Sequence, residues 1–126
     1  MGLFSSKPKS VFPWIHITTE EQLLDAWNNN SGKTQLFFKH STRCSISSMA
    51  LSRFEEKWNK QENRCIVYFI DLIAYRSVSN LLEKISGVMH QSPQVIVEQN
   101  KAIIYSASHA EIDAVYVQKL LPTEIA

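Results

Sequence analysis

Gln35-Leu36-Phe37-Phe38-Lys39-His40-Ser41-Thr42-Arg43-Cys44-Ser45-Ile46-Ser47 is the stretch that decides the architecture. Leu36, Phe37 and Phe38 are apolar in succession with no helical period, so Gln35 to Lys39 reads as a buried strand. A polar loop, His40 to Arg43, follows directly. From there Ile46, Met49, Ala50, Phe54 and Trp58 recur at intervals of three and four among Arg53, Glu55, Glu56 and Lys57, which predicts a long amphipathic helix starting near Cys44. A cysteine in that position meets unpaired backbone N–H groups and the positive end of the helix dipole, and both favour the thiolate, the reactive form. Arg43 beside it, with Lys39 and His40 just upstream, is expected to add positive charge.

Outward from this segment the pattern repeats. Residues 1–13, with Pro8 and Pro13, read as a flexible amino-terminal arm, and Trp14 to Ile17 as a short strand that opens a single domain, 14–126. Thr18 and Glu21 have capping-box spacing, and Leu23, Leu24 and Trp27 carry a helix that stops at Asn28 to Gly32. Ile66 to Ile70 is a third strand; Val78, Leu81, Leu82 and Ile85 mark a helix that Gly87 ends in a left-handed conformation. Then the rhythm changes to a hairpin, Gln94 to Glu98 and Ala102 to Ser106 around the turn Gln99-Asn100-Lys101. A last helix is expected behind Ser108, with Glu111 three positions on and Ile112, Val115, Tyr116 and Leu120 along one face. The order is βαβαβαββα, an α/β domain whose first strands are joined by helical crossovers.

The 126 residues, 44% hydrophobic and 20% charged, suffice for one core without disulfides or structural metal, which leaves Cys44 and Cys65 available for other work. Thirteen basic and twelve acidic side chains give a formal charge of +1 with no basic block, which argues against nucleic acid as a partner. The apolar run Ile66 to Ile70 is far short of the ~20 residues a bilayer span requires, so no membrane helix is expected. Met1 to Ser6 lacks the composition of a secretory signal, which points to a reducing cytoplasm, although Gly2 to Ser6 loosely matches an N-myristoylation pattern. His16, His40, His90 and His109 have no metal-ligand spacing, and no metal site is expected; His40 and His109 are the two that folding could bring toward Cys44. Cys65 begins a strand parallel to the one that Cys44 follows, which separates the thiols and makes Cys65 structural. Trp27, Trp58, Tyr68 and Phe69 read as core or near-core.

Cys44-Ser45-Ile46-Ser47 stands after a buried strand and before a long helix, where thioredoxin-like proteins keep a C-x-x-C motif, and Ser92-Pro93 stands just before the hairpin, where they hold a cis-proline. With Phe38-Lys39-His40-Ser41, Ser92-Pro93-Gln94-Val95 and Ala107-Ser108-His109, the motif resembles the monothiol bacilliredoxins from about Trp14 to the end. The resemblance implies a thioredoxin-like fold, a central mixed sheet with helices on both faces. It implies a thiol-disulfide oxidoreductase in which Cys44 removes bacillithiol from mixed disulfides on S-thiolated client proteins. No cofactor would be bound, bacillithiol would be a co-substrate, and the protein would be a monomer or weak dimer.

Serine at 47 cannot resolve a mixed disulfide, so an external thiol must complete the cycle. Ser47 would either donate a hydrogen bond to the thiolate or stand in solvent. Arg43, Ser45, Ile46, Ser92, Pro93, Ser108 and His109 would contact the thiol or the client. If the Ser106 to His109 segment lies beside Cys44, the helix behind Ser108 would aim N–H groups at the carboxylates of bacillithiol; otherwise Ser108 and Glu111 only cap. The sequence departs from the family pattern at Ser45, where proline is typical, and at Arg43, where threonine is common. Two alternatives stand beside this reading. One is a non-catalytic thioredoxin-like adapter that binds partners through the same groove. The other is a monothiol glutaredoxin, whose Cys-Gly-Phe-Ser motif and Gly-Gly-Cys-Asp loop are missing here.

Overall fold

The structure, a computed structural model, describes residues 11–29 and 31–123, so most of the expected arm and the Gly2 to Ser6 pattern lie outside the described residues. Within them five strands, β1 (Ile15–His16), β2 (Thr34–His40), β3 (Cys65–Asp71), β4 (Gln94–Gln99) and β5 (Ala102–Ser108), form one sheet in the order β1-β3-β2-β4-β5. Four helices connect and flank them: α1 (Glu20–Trp27), α2 (Ser45–Lys57), α3 (Arg76–Ser86) and α4 (Ala114–Leu120). β1 and β2 run parallel to β3, whereas β4 runs antiparallel to both β2 and β5, so the sheet is mixed as expected. The order βαβαβαββα holds, with one short 3-10 turn, His109–Glu111, between β5 and α4.

β2 is paired along both edges and covered on both faces, and all seven of its residues are buried. That is why its sequence reads as an unbroken apolar run rather than an alternation. Leu36 and Phe38 face α2 and α4 in a core with Ala50, Phe54, Trp58, Cys65, Val67, Val95, Val97 and Val117. Phe37 points the other way, into a core with Leu23, Trp27, Tyr68, Ile70, Val78, Leu82 and Ile96, built on α1 and α3. Each fully buried Leu or Phe contributes roughly 1.5–3 kcal/mol relative to exposure. Phe12, assigned by its sequence to the arm, rests on Trp14 and Phe54 with ring centroids 4.5 and 6.3 Å away.

Three local expectations are corrected. The box that starts α1 is one residue later than expected: Thr19 Oγ1 accepts from Gln22 N–H at 3.1 Å and Gln22 Oε1 accepts from Thr19 N–H at 3.3 Å. Thr18-Thr19-Glu20-Glu21-Gln22 offers two overlapping boxes, and the later one leaves both glutamates in the first turn, beside the positive end of the dipole. On α2 the buried stripe is Ser47, Ala50 and Phe54, while Ile46 and Met49 are 57% and 67% exposed. A serine begins the stripe, so the apolar pattern alone rotates the helix incorrectly. Finally, Ser108 does not cap a helix. It is the last residue of β5, its side chain makes no capping hydrogen bond, and α4 starts only at Ala114, where Asp113 Oδ1 accepts from Tyr116 N–H at 3.1 Å. Strand pairing as far as Gln94 opposite Ser108 outcompetes the earlier cap.

The hairpin turn is tighter than expected: Gln99 pairs with Ala102 across Asn100 and Lys101 alone. Their φ angles of 53° and 66° give the doubly left-handed turn that matches the twist of two-residue hairpins.

Candidate thiol site

β2 ends at His40, and the chain turns through Ser41, Thr42 and Arg43 to Cys44. The turn is closed by a hydrogen bond from Cys44 N–H to Ser41 O at 3.2 Å, after which Ser48 N–H to Cys44 O, 3.1 Å, is the first bond of α2. Cys44 is therefore the residue immediately before the helix. It is part-exposed, its backbone is extended, and its side chain makes no capping bond to the first turn, whose N–H groups are the ones a helix start directs toward a thiolate or a ligand. Arg43, Ser45 and Ile46 surround it and are exposed.

Ser47 is neither in solvent nor at the surface: it is 0% exposed. Its Oγ accepts from Ser41 N–H at 3.0 Å and lies 2.8 Å from His40 Nδ1. The second position of the motif is thus packed beneath the turn that presents the first. Burial lowers the His40 imidazole pKa, against the raising influence of the Asp71 and Glu55 carboxylates.

Lys39 does not add charge near Cys44. Strand alternation puts it on the α3 face, fully buried, with Nζ 2.7 Å from His90 Nδ1. Burial pushes its ammonium down to about 8 although Glu83 pulls upward. His90 N–H donates to Glu83 Oε2 at 2.7 Å, and Gln94 Nε2 donates to Met89 O at 2.9 Å, so this cluster ties down the segment leading to Ser92-Pro93.

The Ser92-Pro93 peptide is cis, as expected from its place before the hairpin. Lys39 pairs with Gln94, and Gln94 with Ser108, which brings the end of β2, the start of β4 and the end of β5 to one edge of the domain. His109 N–H donates to Pro93 O at 3.1 Å, with His109 in a left-handed conformation at φ 55°. Arg53 Nη2 reaches His109 O at 3.5 Å and links α2 to the same corner. Ser92 Oγ is buried and has no hydrogen-bond partner. The fold therefore gathers Cys44, Ser92, Pro93, Ser108 and His109 at one end of the sheet, and His109 approaches the cis-proline through its backbone. Ser108 is followed only by the 3-10 turn, whose first N–H, that of His109, is committed to Pro93 O, so the α-helix amino-terminus expected at this segment lies instead at Ala114.

Sequence reasoning gave no site role to Ser41 or Arg53, weighed His90 only as a metal ligand, counted Lys39 as nearby charge, and took His40 as nearby charge that folding could bring toward Cys44. The available signal was Lys39-His40 itself: two basic residues at the end of a wholly buried strand require partners on both faces. Cys65 lies at the opposite end, paired with Thr34 where β2 begins. Both cysteines are free thiols. Among the described residues no group of three or more His, Cys, Asp and Glu side chains converges as a metal site, and no helix is long and apolar enough to cross a membrane.

A part-exposed cysteine before a helix, on the turn that follows a central strand and at the same end of the sheet as a cis-proline, defines a redox protein of the thioredoxin-like class. Solved structures agree on the fold. A thioredoxin-fold protein described as a candidate oxidoreductase superposes with TM-score 0.72 at 22% identity, over 85% of this chain and 92% of its own. Thioredoxin from Trypanosoma brucei brucei gives 0.67 at 11% identity over 91% and 95%, and thioredoxin from Malassezia sympodialis 0.61 at 15% over 83% and 84%. More specifically, residues 15–117 match the family model of the monothiol bacilliredoxin BrxC, and the chain belongs to that family.

Proposed function

We propose that this protein strips a low-molecular-weight thiol, bacillithiol by family membership, from mixed disulfides on client proteins, with Cys44 as nucleophile. The Cys44 thiolate attacks the bacillithiol sulfur of the mixed disulfide. A Cys44–bacillithiol disulfide forms, the client–bacillithiol bond breaks, and the client leaves as a thiolate that takes a proton from water. A second bacillithiol thiolate then attacks the attached bacillithiol sulfur, releasing Cys44 and leaving bacillithiol disulfide. The observation that carries this reading is the pairing of an accessible Cys44 with a buried Ser47, while Cys65 stands at the far end of the sheet. No thiol of the same chain is placed to resolve the intermediate.

Arg43, Ser45 and Ile46 would meet the incoming disulfide, with exposed Ile46 and Met49 as an apolar rim for the client. Ser92 Oγ, lacking a protein partner, is suited to bond a bound thiol. Pro93, Ser108 and His109 form the wall opposite. No bound cofactor is required. A reducing compartment such as the cytoplasm suits two free thiols, and a monomer or weak dimer leaves the site open.

The test is transfer of the adduct. Wild type and Cys44→Ala are incubated with a bacillithiolated and a glutathionylated protein, and each adduct is followed by mass. Wild type should gain the bacillithiol adduct and free the client, and Cys44→Ala should do neither. Equal inactivity of both proteins toward both substrates would favour a non-catalytic adapter.

A further inference from the structure

Ser47 Oγ has one proton and two lone pairs, and the fold already commits one lone pair to Ser41 N–H at 3.0 Å. The 2.8 Å contact with His40 Nδ1 therefore decides what the rest of the hydroxyl does. With Nδ1 unprotonated, Ser47 must spend its proton on His40. With Nδ1 protonated, the imidazole donates, both Ser47 lone pairs are filled, and the hydroxyl proton turns to another neighbour. Cys44 and Ser47 are the N-cap and third residues of α2, the spacing at which an N-cap side chain reaches the first turn. The same hydroxyl also suspends the Cys44 turn, because Ser41, held by Ser47, closes that turn through its own carbonyl.

We infer that His40 is a positioning residue for the thiol site: acting through Ser47, it holds the turn that presents Cys44 and sets the direction of the Ser47 proton. His40 itself is only 6% exposed and touches no substrate. Its neighbours are fixed. Asp71, its register partner on β3, accepts from Ile73 and Ala74 N–H groups, and Glu55 on α2 is held by the Trp14 indole at 2.7 Å. The Phe69 ring lies 5.6 Å from the imidazole, and His16 of β1 meets that same ring. Within this frame, protonation of the Nε2–H imidazole at Nδ1 is transmitted by one short hydrogen bond rather than by movement of the sheet.

The inference rests on Cys44 being the nucleophile and is tested with the full chain in a Cys65→Ala background. The rate of Cys44 with a small aromatic disulfide is measured against pH for wild type, His40→Asn and His40→Leu. Asparagine places a hydrogen-bonding atom near the position of Nδ1 without titrating. The wild-type profile should bend below the ordinary histidine range, beyond the ionisation of the thiol itself. His40→Asn should react within about threefold of wild type at neutral pH and lose the bend, and His40→Leu should be slower by roughly tenfold. A wild-type profile without the bend, or a bend that survives in His40→Asn, overturns the inference. So does a folded His40→Leu protein that reacts like wild type. A wild type that does not react at all instead removes the reading of Cys44 as nucleophile.

Discussion

Two thiols of one chain occupy opposite chemical situations. Cys44 precedes a helix and is reached by solvent, whereas Cys65 is 6% exposed among Leu36, Trp58 and Val67, with its Sγ 3.7 Å from Ile66 O. Burial pushes the Cys65 thiol up to about 12, so its thiolate is almost absent at neutral pH. Alkylation of the native protein followed by intact mass should give one adduct, lost in Cys44→Ala, with a second appearing only after denaturation. Rapid native labelling of Cys65 would contradict the environment described. At this scale Cys44 and Pro93 were legible because their chemistry is local: a helix start and an X-Pro step are visible in a few letters. Ser47 was not. A serine in a first helical turn reads as polar, and only its spacing from Ala50 and Phe54 reveals that it lies on the buried side.

The elements themselves were legible wherever hydrophobic period set them: each expected strand and helix exists, displaced by a residue or two at its ends, except the last helix, which starts at Ala114 rather than directly behind Ser108. The caps were less so, because Ser108 with Glu111 and Asp113 before Ala114 are competing starts that a single sequence cannot rank. Their contrast is measurable. Asp113→Ala removes an acceptor from Tyr116 N–H and should lower stability by about 1 kcal/mol in urea unfolding. Ser108→Ala removes no capping bond and should fall within about 0.5 kcal/mol of wild type. Equal losses would restore the earlier helix start. The rim of Ile46 and Met49 shows the other limit of periodicity, which finds an apolar stripe but not its centre when a buried polar residue belongs to it.

For the whole molecule the mixed topology followed from the sequence because helical crossovers favour parallel strands and a short turn enforces an antiparallel pair, although three residues were expected in that turn and two are found. What the letters do not show is where buried charge goes. Lys39 titrates near 8 in the fold against 10.5 unfolded, so between those values the unfolded chain binds more protons and stability rises with pH. Cys65 acts in the opposite sense: unfolded it loses its proton near 9.0, folded only near 12, and stability falls as pH passes 9. Urea midpoints should therefore rise from pH 8 to 9 in wild type, and the rise should be smaller in Lys39→Met. A midpoint difference between the two that is constant over that interval would place the lysine proton elsewhere.

The seven buried residues of β2 carry one further consequence, for how such a chain can change over generations. Lys39 and His40 serve opposite faces, the one meeting His90 and the other Ser47. A single codon gained or lost between Thr34 and Lys39 would shift the strand by one step and transpose them, sending each base to the wrong partner and reversing both cores at once. Surface loops elsewhere can absorb an added residue, but a strand buried on both faces cannot take a single-residue change without this reversal.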